Sequence, residues 1–329
     1  VALSNPAASG TNSGATLLLN GALLNGFDIS TISKINTLDV SSQDVEMEGL
    51  FLKPDGTRIY GVGYSGDTVE EYHMSTAYDL STASHVQSFS VSGQETVPHD
   101  LFFKTDDGTK MYIIGSTGDD ITEYALSTAW DISSASATDT FSVSAQNSLP
   151  KSLYIKPDGA KLYIVGHPNT VFQYSISTAW DVSTASYDNV SFDLSSQESQ
   201  AGGITFKPDG TKMYIIGPGT DKVHEYNLST AFDISTASFS QSVDVDGNLP
   251  NSIDFSPNGD NMYITDSSDD DFHQYSVGST AAITYDSSIK FTGGTAFASP
   301  AVGETDVITF DTTDGGATYF ASHAIDGAK

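Results

Sequence analysis

The sequence predicts an all-β protein: a five-bladed β-propeller of four-stranded antiparallel blades, closed by its N-terminal strand, with a small C-terminal β appendage. Three observations predict it. One pattern recurs five times between residues 27 and 285, as LFLKPDGTRIY, LFFKTDDGTKMY, LYIKPDGAKLY, ITFKPDGTKMY and IDFSPNGDNMY, with a shared Tyr at 60, 112, 163, 214 and 263. Repetition at about fifty residues marks a propeller, a solenoid or an array. Every copy holds segments of strand chemistry, and the two ends of the repeat region complement each other.

In the second copy the strands are DLFFK (100–104), KMYIIG (110–115), ITEYAL (121–126) and TDTFSVS (138–144), rich in β-branched and aromatic residues and separated by Gly, Asp, Ser and Pro. Asp-Gly between the first two is a tight-turn signal, because the turn needs a positive φ that glycine adopts freely. No segment shows helical periodicity. Four antiparallel strands per repeat outline a propeller blade, in which radial repetition leaves only short, protected sheet edges.

Four copies carry all four strands, while the fifth stops after DFHQYSV (271–277). FDISTISKINTLDVSSQ (27–43) is an orphan fourth strand with its preceding loop, matching WDISSASATDTFSVSAQ (130–146). Together these complete five blades. An open solenoid would need polar capping repeats and gives no reason to divide a blade between the two ends.

Residues 1–26 read as a linker or extended arm, 27–285 as the propeller and 286–329 as the appendage. The tail keeps strand character in DVITFDT and ATYFASHAI around the turn signal Thr313-Asp314-Gly315-Gly316. A lone hairpin is marginally stable, so this one is expected to pack on the propeller or on a neighbouring chain. The apolar stretch ATLLLNGALL (15–24) is too short to span a bilayer and is interrupted by Asn20 and Gly21. It also lacks the basic start of a signal peptide. The chain begins at Val1 without Met, which leaves an upstream portion open.

Lys plus Arg number 13 against 42 Asp plus Glu, a net charge of -29. Nucleic acids and anionic membranes bind through Lys and Arg, so nucleic-acid binding and membrane insertion are not expected. The balance suits a soluble protein in a salty medium, or one that binds divalent cations or polyhydroxyl ligands. There is no cysteine, hence no disulfide or thiolate site.

The tail TFDTTDGGATYFASHAIDGAK resembles the C-terminal ends of tail fibre and virion-surface proteins of marine and environmental bacteriophages, and the KPDGTKMYIIG and LSTAWDIS elements are similar to propeller repeats of such proteins and of some bacterial surface proteins. The resemblance implies a non-enzymatic virion-surface protein of the tail-fibre, receptor-binding type, in a homo-oligomer at the virion surface or outside the cell. Its implied partners are host cell-surface glycan or protein and other virion subunits, and it brings no catalytic residues.

Loop geometry selects a binding face for that role. In a four-stranded meander the loops between the second and third strands share a rim with the loops between blades. The first group holds Asp67, Asp119, Asp120, Asn169, Asp221 and Asp269, and the second Gln43, Gln94, Gln146 and Gln197. Carboxylates and amides hydrogen-bond sugar hydroxyls or ligate calcium, so this rim is the expected ligand site, with Tyr64, His99, His167 and His224 as variable neighbours. No cofactor is expected beyond calcium, for which Asp266, Asp269, Asp270 and Asp271 offer hard oxygen ligands. GVGYSG (61–66) has the glycine spacing of a dinucleotide loop, but no helix follows it, and it reads as a hairpin.

The aromatics Phe27, Tyr78, Trp130, Trp180 and Phe232 each precede an Asp in their loops, and regular placement favours wedging between blades over stacking on a sugar. Two other functions compete with the virion reading: a structural decoration or spacer of a virion or surface layer, and a propeller glycosidase. The latter would place carboxylates at the channel mouth, where Glu46, Glu48, Asp100 and Asp254 are the candidates and Lys151, Ser152, Gly202 and Asn251 occupy matching positions in other blades.

Overall fold

The computed structural model describes residues 26–278 in full and, outside them, the backbone of six strands. The chain divides into two compact units, Phe27–Val277 and the flanks 1–26 with 278–329.

The larger unit is the five-bladed propeller. Blade 1 runs Met47–Leu52, Arg58–Gly63, Thr68–Met74 and Ala83–Ser90. Blades 2, 3 and 4 repeat that order from Pro98, Leu149 and Gly203, each as a four-stranded antiparallel meander. Blade 5 takes three strands from its own repeat, Pro250–Phe255, Asn261–Asp266 and Asp271–Val277. The fourth is Ile32–Asp39 from the start of the chain, antiparallel to Asp271–Val277. The inner strand of each blade packs against those of both neighbours, blade 5 against blade 1 included, so the ring is closed.

Residues of the repeat motif build that ring. The shared tyrosines are fully buried, and each hydroxyl reaches the next blade: Tyr60 to the carbonyl of Trp130, Tyr112 to Trp180, Tyr163 to Phe232, Tyr214 to Phe27 and Tyr263 to Tyr78, at 2.5–2.7 Å. A buried carbonyl left without a donor is costly, and here every accepting backbone group lies on a loop that no sheet ladder serves. The five acceptor residues have positive φ of 61–68°, and their amides donate to the hairpin glycines Gly56, Gly108, Gly159, Gly210 and Gly259. Trp130 lies nearly parallel to Phe103 and Phe51, with centroids 5.6 and 6.2 Å away. The loop aromatics are therefore wedges between blades.

Between the third and fourth strands of blades 1 to 4 the chain makes a single 3-10 turn, whose preceding Asp accepts an amide two residues on: Asp79 from Ser81, Asp131 from Ser133, Asp181 from Ser183 and Asp233 from Ser235. Among the described residues no helix is long and apolar enough to cross a membrane.

In the flanking unit, Ala2–Leu3 pairs in parallel with Thr284–Tyr285. A four-stranded sheet is ordered Ala15–Asn20, Thr305–Asp311, Tyr319–Ala328, Ile289–Phe291. Most of the arm read at Val1–Gly14 and the turn signal at 313–316 lie outside the described residues.

Candidate active site

Five equivalent positions near the start of the inner strands hold Glu48, His99, Lys151, Gly202 and Asn251. They surround one mouth of the central channel. In blades 1, 2 and 3 this residue is a bulge: the register slips between Met47 and Gly49, between Pro98 and Asp100, and between Pro150 and Ser152. A bulge takes a residue out of the ladder and re-aims its side chain. In blade 5 the slip spans Pro250 to Ile253 and includes Asn251. In four of the five blades the fold thus turns one residue toward a common point, blade 4 offering Gly202 without a bulge, and the sequence makes those residues chemically different.

Three of them form a cluster. Glu48 Oε2 lies 3.4 Å from His99 Nδ1 and 3.7 Å from Lys151 Nζ. Lys151 Nζ stands 3.1 Å from the same His99 nitrogen, and His99 Nε2 is 3.1 Å from Ser116 Oγ. The protonation of His99 Nδ1 decides which partner it takes. With Nδ1 protonated His99 donates to Glu48, and with Nδ1 bare it accepts from Lys151. Burial pushes the Glu48 carboxyl up, but hydrogen bonding from His99 and the Lys151 charge more than reverse this, holding it below the usual carboxylate range. His99 is 4 % exposed and Glu48 16 %, so the carboxylate keeps an opening to solvent.

That opening is a cavity of about 300 Å³ whose wall includes Glu48, Lys151, Asn251, His167, Asn169 and Ser267. Leu149 and Leu249, 38 % and 43 % exposed, add an apolar edge. A carboxylate base, a cation and amide groups converging on an accessible cleft can activate water and stabilise a developing oxyanion.

Of the ten rim residues predicted from the sequence, Asn169 alone lines this cavity, and its amide is engaged with Ser199 O and the amide of Ala201. Gln43, Gln94 and Gln146 accept the hydroxyls of Tyr72, Tyr124 and Tyr174, while Gln197 donates its backbone amide to Leu194 O. Asp67, Asp119 and Asp221 sit at turn positions of positive φ, and their carbonyls accept the amides of Val91, Val143 and Val245. Asp120 opens the third strand of blade 2, its carboxyl pushed up by burial and by the charges of Glu95 and Asp119. In blade 5 the residue equivalent to Asp67 is Asp270, which accepts from Val40, and Asp269 is exposed beside it.

The polar residues that follow the rim glutamines turn inward rather than toward a ligand: Asp44 and Glu95 are buried and bind the amides of neighbouring turns. Asp266 does the same in blade 5, accepting from Asn248, Leu249 and Ser268. Asp271 faces His273 at 3.7 Å. Among the described residues no three His, Asp or Glu side chains are grouped to hold a metal ion, the four aspartates considered for calcium included.

Glu48 stands where the glycosidase alternative placed it, but Glu46 is tied to Ser65 on the exposed loop. Asp100 is buried one level deeper, accepting from Ser152 and Ser252, and Asp254 lies near the opposite mouth. The sequence sets Lys151 at a position matching the glutamates and His99 among the rim neighbours, and the structure brings both beside Glu48.

Fold and site together define a propeller with an open cleft at one channel mouth. The chain belongs to the family described as lactonase, 7-bladed beta-propeller, which matches residues 21–292. Its own ring has five blades.

No curated relative matches the chain in sequence. Similar solved structures include the periplasmic gluconolactonase of Pseudomonas aeruginosa, at 14 % identity over 86 % of this chain and 72 % of that one with a TM-score of 0.41. Another is a functionally unknown protein from Desulfotomaculum acetoxidans, at 12 % identity over 86 % and 90 % with a TM-score of 0.42. A luciferin-regenerating enzyme matches at 14 % identity over 75 % and 96 % with a TM-score of 0.46.

Family membership overturns the bacteriophage resemblance, and with it the non-enzymatic receptor-binding role and the host-glycan, host-protein and virion-subunit partners. The physical reason is visible in the ring. The KPDGTKMY and STAWD elements that carried part of the resemblance are spent on hairpin turns, tyrosine bridges and wedges, so they report blade construction and say nothing of what the protein meets, while the side chains of the tail that carried the rest lie outside the described residues.

Proposed function

We propose that the chain is a hydrolase that opens a lactone at the Glu48–His99–Lys151 cluster. The observation that carries this reading is an ionised, partly open carboxylate held 3.7 Å from an ammonium at the wall of a cavity, in a chain of the lactonase family. Glu48 takes a proton from water, and the oxygen attacks the lactone carbonyl carbon. Lys151 stabilises the resulting oxyanion. The bond from that carbon to the ring oxygen then breaks, and the ring oxygen leaves as an alcohol with the proton returned from Glu48. The product is a hydroxy acid, and His99 orients both partners. Leu149 and Leu249 offer the substrate an apolar edge.

Proton release from a panel of γ- and δ-lactones at neutral pH, with an aryl glycoside as the contrasting substrate, tests the proposal. At least one lactone is expected to open well above background. Glu48→Gln is expected to lose roughly 10²–10⁴-fold in kcat/KM, and Lys151→Met roughly 10²–10³-fold. No lactone opened, or a fully active Glu48→Gln enzyme, overturns it.

A further inference from the structure

At the opposite end of the inner strands lies a second cavity, of about 230 Å³. Its wall takes one residue from each blade at a single register level, each paired with the shared tyrosine of the second strand: Phe51, Phe102, Tyr154, Thr205 and Asp254. Three are aromatic rings in succession, with Phe51 to Phe102 at 5.3 Å and Phe102 to Tyr154 at 5.4 Å, both edge-to-face. The prolines of four hairpin turns narrow the mouth.

The fifth member breaks the apolar pattern with a carboxyl. Asp254 accepts the amides of Leu52 and Phe255 at 3.0 and 2.8 Å, and no Lys, Arg or His among the described residues pairs with it. Tyr154 and Asp254 line the same cavity. A carboxyl set among apolar walls is costly unless something balances it. The cavity is smaller than the roughly 300–1,000 Å³ of pockets for drug-sized ligands, and aromatic faces beside a carboxylate are the groups that hold a methylated ammonium.

We propose that this second mouth binds a small free quaternary ammonium compound of about the size of choline, with the rings of Phe51, Phe102 and Tyr154 around its methyl groups and Asp254 opposite its charge. A net charge of -29 favours the entry of a cation. Nothing in this site overlaps the Glu48 cluster, so it stands or falls apart from the lactonase reading.

Calorimetric titration of the full chain above about pH 8, where the Asp254 carboxyl is ionised, with choline and with its uncharged isostere 3,3-dimethyl-1-butanol tests the proposal. Choline is expected to bind at least tenfold more tightly than the alcohol. Asp254→Asn is expected to weaken choline about tenfold or more while leaving the alcohol unchanged. Phe102→Leu, which keeps an apolar side chain at that level, is expected to weaken choline several-fold and serves if the Asp254 variant does not fold. Equal binding of choline and the alcohol would reduce the site to an apolar hollow and overturn the proposal, as would no binding of choline at millimolar concentration.

Discussion

The hydroxyl of Tyr214 donates to the carbonyl of Phe27 at 2.5 Å across 187 residues of sequence, and this bond ties the loop ahead of the N-terminal strand to blade 4. Its four counterparts join blades made from neighbouring repeats or, for Tyr263 and Tyr78, the last repeat to the first. The Lys212 ammonium is 3.5 Å from the Phe27 carbonyl and compensates little. Tyr214→Phe is therefore expected to cost about 1–3 kcal/mol, read as a lower midpoint in urea unfolding. Tyr64→Phe, at a residue 38 % exposed, should leave the midpoint in place. Equal midpoints for both variants would show that the tyrosine ring does not hold the closure.

The hairpin glycines answer to two constraints at once. Gly108 has φ of 64°, and a methyl group added to it would lie 2.2 Å from the ring of Trp130. Gly108→Ala is expected to lose about 1–3 kcal/mol to overpacking, with left-handed strain in addition. Gly93 has nothing within 4 Å of the same added atom, so Gly93→Ala should stay within about 0.5 kcal/mol of the parent. Thermal unfolding of the two variants side by side checks this, and similar melting temperatures would contradict the wedge role of Trp130.

The blade count and its N-terminal closure were legible because each repeat must satisfy the same turn, bridge and wedge, which leaves Tyr, Gly and the loop aromatic fixed in every copy. Function was not legible by the same route. Gln43, Gln94 and Gln146 recur for the same reason the tyrosines do, since they accept tyrosine hydroxyls, so recurrence pointed to scaffold. The cluster at the channel mouth announces itself by the reverse signal, one position that reads Glu48, His99, Lys151, Gly202 and Asn251 around the ring. Nothing in the strand pattern says that this position bulges out of the ladder.

On the proposed mechanism the state of Glu48 fixes the acid limb of the pH–rate profile. As general base it must be ionised, and its carboxyl is held below its ordinary 4.5 by His99 and Lys151 against the opposing effect of burial. Rate is therefore expected to be level through pH 6 and 5 and to fall only below the usual carboxylate range. Lys151→Met removes part of what holds the carboxyl down, so its acid limb should move to higher pH as its rate drops. The dependence of kcat/KM on pH for the two proteins measures this, and an unmoved limb would separate Lys151 from Glu48.

Two channel carboxyls give stability the opposite dependence. Burial pushes Asp100 and Asp254 from an ordinary 3.8 up to about 7, beyond what their hydrogen bonds offset. Between about pH 4 and pH 7 the folded chain then holds protons that the unfolded chain has released, so the stability these groups supply is present below pH 4 and is lost as pH rises through 7. Each pKa unit is worth about 1.4 kcal/mol. Mutual repulsion within a chain of charge -29 acts in the same direction, so the decisive measurement is a difference. Asp100→Asn, which keeps one acceptor oxygen and turns its NH2 donor toward the other serine hydroxyl, is expected to lower the slope of urea-unfolding free energy against pH between 5 and 7 and to leave it unchanged above 8. A slope identical to the parent's would mean that Asp100 titrates in the folded protein as it does in water.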